Sequence, residues 1–222
     1  MDFHLYVSYW PLLLRGILYT LYVCSGALVI GLLFGLCLCV ISQQRFIIIR
    51  ALYRLYITLF RGTPLLVQLF LVFYGGPFIG LRFSAVQVGM GGLGLYTAAY
   101  FAEIFRAGFE SIPSGEIEAA FDLGLSPWQI FWHIRIPQML ALIVPTVLNQ
   151  TILLVKESAV LSIITVPEMM SAATKMSTET YSVAEPYLFL GVCYWLMTFA
   201  LAKAARQLEK HATRHLFQPK ES

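Results

Sequence analysis

Charge is scarce in this chain, and recognisable catalytic motifs are absent from it. Of 222 residues only 12% are Asp, Glu, Lys or Arg, while 59% are hydrophobic. An ordinary soluble domain is nearer a quarter charged and half apolar. That balance excludes a disordered chain and a basic nucleic-acid-binding module, and it argues against most soluble enzymes of this size. No GxxxxGK[ST] string occurs, so the chain has no P-loop to cradle a nucleotide. Neither HExxH nor GxSG occurs, which leaves an intramembrane enzyme without its usual nucleophile and base. Internal repeats and low-complexity tracts are missing too. The cysteines, Cys24, Cys37, Cys39 and Cys193, all lie in apolar stretches and read as helix packing, with neither disulfide nor metal spacing.

What is present is long apolar sequence. From Gly16 to Gln44 there is no charged residue, more than the roughly 20 residues that a bilayer span needs. Five spans are expected, over 16–42, 57–80, 86–108, 136–160 and 186–208, in a single transmembrane domain covering 1–222. Gly75-Gly76-Pro77 punctuates the end of the second, and Gly89, Gly91, Gly92 and Gly94 predict an irregular first half of the third. The mixed segment Leu161 to Glu185 reads as a loop with one short surface helix. A cleaved signal peptide is not expected, since no Lys or Arg precedes Arg15 and the following apolar run is too long. The fold class is therefore an all-α membrane protein of about five transmembrane helices.

The basic residues orient this bundle. Arg45, Arg50, Arg54 and Arg61 follow the first span, Arg106 and Arg135 flank the connection after the third, and Lys203, Arg206, Lys210, Arg214 and Lys220 fill the tail. Those 11 of the 15 fall on one side; Arg15, Arg82, Lys156 and Lys175 fall on the other. The positive-inside bias places the N-terminus outside and the C-terminus in the cytoplasm.

One cytoplasmic connection, 111–137, carries more pattern than a connector needs. Pro113-Ser114 opens a helix with Ser114 as expected N-cap, and Glu116 and Glu118 lie in its first turns, where negative charge suits the positive helix end. Gly124 stops it. Ser126, Pro127 and Gln129 then write a capping box with proline at the first helical position. The reading is helix, glycine elbow, helix. Ile117, Ala120 and Phe121 mark one face of the first helix, and Trp128, Phe131 and Trp132 anchor the second. An aromatic face of this kind either lies on the lipid surface or docks a partner. The paired small residues Ala119-Ala120 and the elbow favour docking.

The spacing Glu118-Ala119-Ala120, Gly124, Ile134, Ile136-Pro137 resembles the EAA loop of bacterial ABC importer permeases, with Ile136 where the family pattern has Leu. Arg61-Gly62-Thr63-Pro64-Leu65-Leu66-Val67-Gln68 is similar to the RGTP segment of the polar amino-acid uptake branch, which includes histidine-, glutamine- and cystine-type permeases. Tyr100 to Gly108, Leu154 to Ser158 and Val166-Pro167-Glu168 extend the resemblance over nearly the whole chain.

The resemblance implies a type I ABC importer permease fold and a subunit that is not an enzyme. It implies two cytoplasmic ABC ATPase subunits, which bind ATP and Mg, so this chain needs no cofactor of its own. It implies a second permease, identical or a paralogue, and a periplasmic or lipid-anchored amino-acid-binding protein. The setting is the bacterial cytoplasmic (inner) membrane; nucleic acid is not a partner. Glu118, Ala119, Ala120, Gly124, Ile134, Ile136 and Pro137 become the ATPase-coupling set. Arg61, Gly62, Thr63, Pro64 and Gln68 become a gate-proximal bend at the start of the second span. The residues alone also allow Arg61 to be an ordinary interfacial anchor and Pro64 an ordinary helix start.

Ionisable and amide groups within spans are the remaining candidates, because each is costly in lipid unless it faces a cavity or partner. They are Glu103, Asn149, Gln150, Lys156 and Glu157. Glu103, Asn149 and Glu157 are assigned to the substrate pathway, with Asn149 and Glu157 expected near one helix face, and Lys156 as a group for an α-carboxylate. Glu103 and Lys156 equally fit span ends. His211 and His215 have metal-like spacing but no third ligand nearby, and a basic tail at the anionic leaflet explains them better. The expected function is inward carriage of a polar amino acid by alternating access coupled to ATP; a passive channel or secondary transporter is the alternative.

Overall fold

The computed structural model describes residues 3–213, and all regular structure among them is helical. Arg214, His215 and Lys220 lie outside the described residues, as do the side chains of Lys210 and His211. Helix α1 spans Phe3–Ser42, α2 Ile47–Gly62, α3 Leu65–Phe70 and α4 Ala85–Glu110. Helices α5 (Ser114–Asp122) and α6 (Pro127–Ile130) follow. A π turn, Phe131–Arg135, joins α6 to α7, Ile136–Glu157. After a 3-10 stretch, Ser158–Ile164, come α8 (Met169–Thr180) and α9 (Ala184–Thr213).

The core is built on α1 and α4. Position 26 of α1 faces Met90, position 31 faces Thr97 and position 35 faces Phe101, so the two helices run parallel. The chain must therefore cross back once between them. It does so through α2 and the α3 helix with its π and 3-10 continuation to Ile79, a pair bent by 106°. Val23, Cys24, Ala27, Leu93 and Tyr96 meet Leu65, Leu69, Leu154, Leu161 and Val166 in the largest apolar cluster.

By length and apolarity, the described residues contain three crossing helices, Leu5–Ser42, Pro127–Ile164 and Ala184–Glu209, or four with the bent pair. The expected span 86–108 forms α4, one regular 26-residue helix, not the half-irregular segment its glycines suggested. It is not among the apolar set, and the reason is its place: many of its residues are buried against other helices, so glycine and tyrosine replace lipid-facing side chains.

Four further expectations are corrected. The first helix begins at Phe3, well before 16, because Leu5, Tyr6, Tyr9, Leu12 and Leu13 pack against Ala172 and Met176 of α8 and Phe189 of α9. The basic connection between the first and second expected spans, read from the sequence as a loop, is amphipathic α2 from Ile47. The second helix of the elbow, α6, is not separate from the fourth expected span: the π turn absorbs the register change ahead of Pro137, and the helix runs on into α7. Finally, α8, the expected short surface helix, does more than lie on the surface: Thr174, Lys175, Thr178 and Glu179 are exposed, but Met169, Ala172, Ala173 and Met176 are buried on the opposite face. All four cysteines are free, and no cluster of metal-ligating side chains occurs among the described residues.

In the connection between the fourth and fifth spans, Glu168 caps α8. Its fully buried carboxyl accepts from the Ser171 and Met170 amides at 2.7 and 2.8 Å, and Tyr194 donates to it at 3.4 Å. Burial pushes this carboxyl up from 4.5 to about 7, against the lowering effect of those bonds. The fold thus holds a proton that the unfolded chain has already released, and stability falls as pH rises from about 4.5 to about 7. The thermal midpoint of the wild-type chain in detergent is expected to drop between pH 5 and pH 8, and that of Glu168→Gln to change much less. Parallel pH profiles would count against this assignment.

Candidate functional site

The sequence candidates fall at the helical elbow, at the α2–α3 bend, and at polar positions on α4 and α7. The elbow is set by local backbone chemistry. Helix α5 begins at Ser114 with Pro113 in the cap position and no side-chain cap bond, which corrects the expected Ser114 cap. A proline before the helix sets its entry without needing a hydroxyl. At its C-terminus Leu125 N–H donates to the Ala120 carbonyl at 3.1 Å, and Gly124 N–H donates to Phe121 at 2.9 Å. Gly124 has φ of +78°. This is a Schellman arrangement with glycine at C′. Ser126 and Gln129 then form the reciprocal capping box, and Pro127 sits in the first turn of α6.

The elbow presents a defined surface. Glu118, Ala119, Gly124 and Pro137 are exposed, and Leu123 and Trp128 are 82% and 69% exposed. Trp128 and Trp132 meet edge to face at 5.5 Å, and Phe131 stacks on Phe109 at 6.1 Å. Ala120 and Ile136 turn away from this surface, and Ile134 is half-buried at its margin. Ala120 is buried, and Ile136, with Ile117, joins the cluster of Phe105, Ile112, Met139 and Ile143. These residues fasten the elbow to the bundle; the exposed ones remain free to meet a partner.

The RGTP segment forms the 106° bend. Thr63 and Pro64 are extended, which interrupts the helix, and Pro64 occupies the cap of α3. Gln68 reaches back across the bend and donates to the carbonyls of Phe60 and Thr63 at 3.0 and 3.1 Å, satisfying the open end of α2. Gly62 meets nothing within 4 Å of a β-carbon position and sits on the open side.

The bend touches the pathway candidates. Arg61 pairs with Glu103 at 3.5 Å and lies over the Tyr100 ring at 5.2 Å. Glu103 also pairs with Arg106 at 2.9 Å and accepts from Tyr53, while Arg106 pairs with Glu110 at 2.6 Å. In the other direction the Tyr100 and Tyr96 hydroxyls are 3.1 Å apart, and Tyr96 donates to Glu157 at 3.5 Å. One polar line thus runs from Glu157 to Glu110 at the elbow. Beside it lies a cavity of about 400 Å³ lined by Arg61, Tyr100, Glu103, Thr146 and Gln150. One oxygen of Glu157 is buried and has no hydrogen-bond partner among the described residues.

Sequence reasoning assigned Arg61 and Glu103 to different roles, and the structure brings them together. It separates Asn149 from Glu157. Asn149 and Lys156 are exposed, whereas Gln150 is buried and Glu157 half-buried. Seven residues return to one helix face more closely than eight, so Asn149 pairs with Lys156 and Gln150 with Glu157. Tyr96, Tyr100 and Arg106 were missed as site residues. Their signal was legible: Tyr96, Tyr100 and Glu103 stand at i, i+4 and i+7.

A helical membrane bundle with an exposed helix–elbow–helix and a polar line along α4 defines a transmembrane permease. The chain belongs to the family described as binding-protein-dependent transport system inner membrane component, whose model matches residues 11–214. It is 34% identical over 204 residues to the probable amino-acid ABC transporter permease protein YckA of Bacillus subtilis, covering 92% of this chain and 90% of that one. A crystal structure of an amino acid ABC transporter with histidines superposes with a TM-score of 0.89 at 34% identity, covering 95% of this chain and 99% of that one. The MetNI methionine ABC transporter in an inward-facing form shares the fold, with a TM-score of 0.74 at 23% identity over 91% of this chain and 96% of that one. The fold is that of the type I ABC importer permeases. Nothing in these likenesses favours a passive channel or a secondary transporter.

Proposed function

We propose that this chain carries a polar amino acid into a bacterial cell, by alternating access driven by two separate ABC ATPase subunits. The observation that carries the reading is the exposed elbow of α5 and α6, rigidly joined to α7, on a chain that has no P-loop of its own. A closed-to-open change in the ATPases moves the elbow, and the continuous helix from Pro127 to Ile164 carries that motion into the bundle. ATP and Mg belong to those partners. Such a drive shifts the two packings only through different affinity for each.

The amino-acid assignment is supported by the relatives, a probable amino-acid ABC transporter permease and an amino acid ABC transporter of solved structure. Glu157, with its free buried oxygen beside Tyr96, is the group for a substrate α-amino nitrogen. Arg61 and the α2–α3 bend form the gate, closed by the pair to Glu103. A second permease, a copy or a paralogue, covers the exposed face of α7 bearing Asn149 and Lys156, and a periplasmic or lipid-anchored binding protein delivers the substrate. The orientation is N-terminus outside and C-terminus in the cytoplasm, as the basic residues direct.

The test is co-purification with an ATPase subunit, followed by ATP hydrolysis in proteoliposomes with the cognate binding protein and amino acid. Substrate-stimulated hydrolysis is expected. Glu157→Gln is expected to lower uptake at least about tenfold, the effect of losing one charged hydrogen bond to substrate, with ATPase association unchanged. Uptake by the permease in the absence of any ATPase would overturn the reading.

A further inference from the structure

Helix α2 has three faces, and among the described residues only one of them is covered by protein. Tyr53 is buried against Leu38, Ala98 and Ala102 of α1 and α4, and Tyr56 donates to the Leu95 carbonyl at 2.6 Å. Ile48, Leu52, Leu55 and Leu59, at i, i+4, i+7 and i+11, form a bare apolar face, each about half exposed or more. The third face carries Arg50 and Arg54 one turn apart. Between that face and α4, at the end of the bundle where α4 meets the elbow, lies a cavity of about 460 Å³ lined by Arg50, Arg54, Thr58, Glu103, Arg106 and Glu110.

The charge in this cavity does not cancel. Glu103 and Glu110 are matched by Arg106 and Arg61, at 2.9, 2.6 and 3.5 Å. Arg50 donates only to the neutral carbonyl of Arg45, at 3.3 Å, and Arg54 has no ion pair among the described residues. Two guanidinium groups therefore face the cavity without counter-charge. Guanidinium forks match phosphate oxygens in shape and charge.

We propose that this cavity binds the phosphate headgroup of an anionic phospholipid, held by Arg50 and Arg54, with its acyl chains laid on the bare face of Ile48, Leu52, Leu55 and Leu59. An uncompensated cationic pocket on the same helix as a bare apolar stripe fits an amphiphile, whose chains pass around α2 beside Thr58, better than a free anion, which has no use for the stripe. A headgroup seated there joins α2 to α4 through Arg106, at the root of the elbow.

The full chain purified in detergent is offered phosphatidylglycerol or phosphatidylcholine with identical acyl chains, and native mass spectrometry counts the lipid retained. Retention of phosphatidylglycerol is expected to exceed that of phosphatidylcholine on the order of tenfold. The exposed pair Arg50→Gln/Arg54→Gln is expected to abolish the preference, Arg50→Lys/Arg54→Lys to keep part of it, and excess inorganic phosphate to leave it unchanged. Equal retention of the two lipids overturns the proposal, as does an unchanged preference in the glutamine variant. Displacement by inorganic phosphate overturns it in favour of a free-anion site. Loss of an ATPase partner in the glutamine variant, with lipid retention intact, overturns it in favour of a protein contact.

Discussion

Gly124→Val is expected to lower substrate uptake by at least about tenfold while leaving the subunit inserted in the membrane. A left-handed residue other than glycine costs roughly 1–2 kcal/mol, and a β-branched side chain is among the worst placed to adopt it. A β-carbon at Gly124 would meet nothing within 4 Å, so crowding inside the subunit contributes nothing. The variant reads the φ of +78° alone. To escape the strain the chain must give up the bonds from Leu125 to Ala120 and from Gly124 to Phe121, and the angle between α5 and α6 changes with them. The exposed surface of Glu118, Ala119 and Trp128 then no longer presents one shape to a partner. Asparagine tolerates the left-handed region, so Gly124→Asn is expected to retain most uptake and Gly124→Ala to fall between. Uptake and ATPase co-purification in the three variants check this order. Wild-type uptake by the valine variant would remove Gly124 from the coupling mechanism.

Gly35→Leu is expected to prevent formation of a stable bundle. Here the constraint is space and not dihedral angle. A β-carbon at this position would stand 2.8 Å from Cβ of Phe101 and 3.1 Å from both the Ala102 nitrogen and the Ala98 oxygen. Two of these three are backbone atoms, which no rotamer change can move. Overpacking a tight site costs about 1–3 kcal/mol where side chains can yield. Here α1 and α4 must separate, so the cost is expected at or above the upper end of that range. The shift would be felt by Phe101, Ala98 and Ala102, which are fully buried. The measurements are the monodisperse fraction after purification and the thermal midpoint in detergent. A midpoint equal to that of wild type would show that α1 and α4 do not meet as described.

The elbow and the polar line differ in how far the sequence reveals them. Ser126, Pro127 and Gln129 act on one another within a single turn, and Gly124 acts on its own dihedral. Such features are readable because their causes lie a few residues apart. Tyr96, Tyr100 and Glu103 also share a face by simple helical spacing, and that signal went unused. The pairing of Arg61 with Glu103 has no local signature. It depends on the bend at Thr63-Pro64 returning α2 toward α4. The same limit applies to Asn149 and Glu157, whose faces are decided by which side of α7 the rest of the bundle covers.

By itself the sequence determined the material of this protein: long uncharged runs that require a bilayer, basic residues gathered on one set of connections, and a pair of short helices with a glycine at the elbow and a capping box on the second. Those are properties of hydrophobic burial and of backbone chemistry over short range, and they need no knowledge of neighbours. Only the tertiary structure decided the partners of each polar group. It tied Glu103 to Arg61, Arg106 and Tyr53, buried a face of α8 and, among the described residues, left one oxygen of Glu157 without a hydrogen bond and Arg50 and Arg54 without counter-charge. The physical reason is that, inside an apolar bundle, the energy of a charge depends on what stands within a few ångströms of it, and packing alone sets that distance.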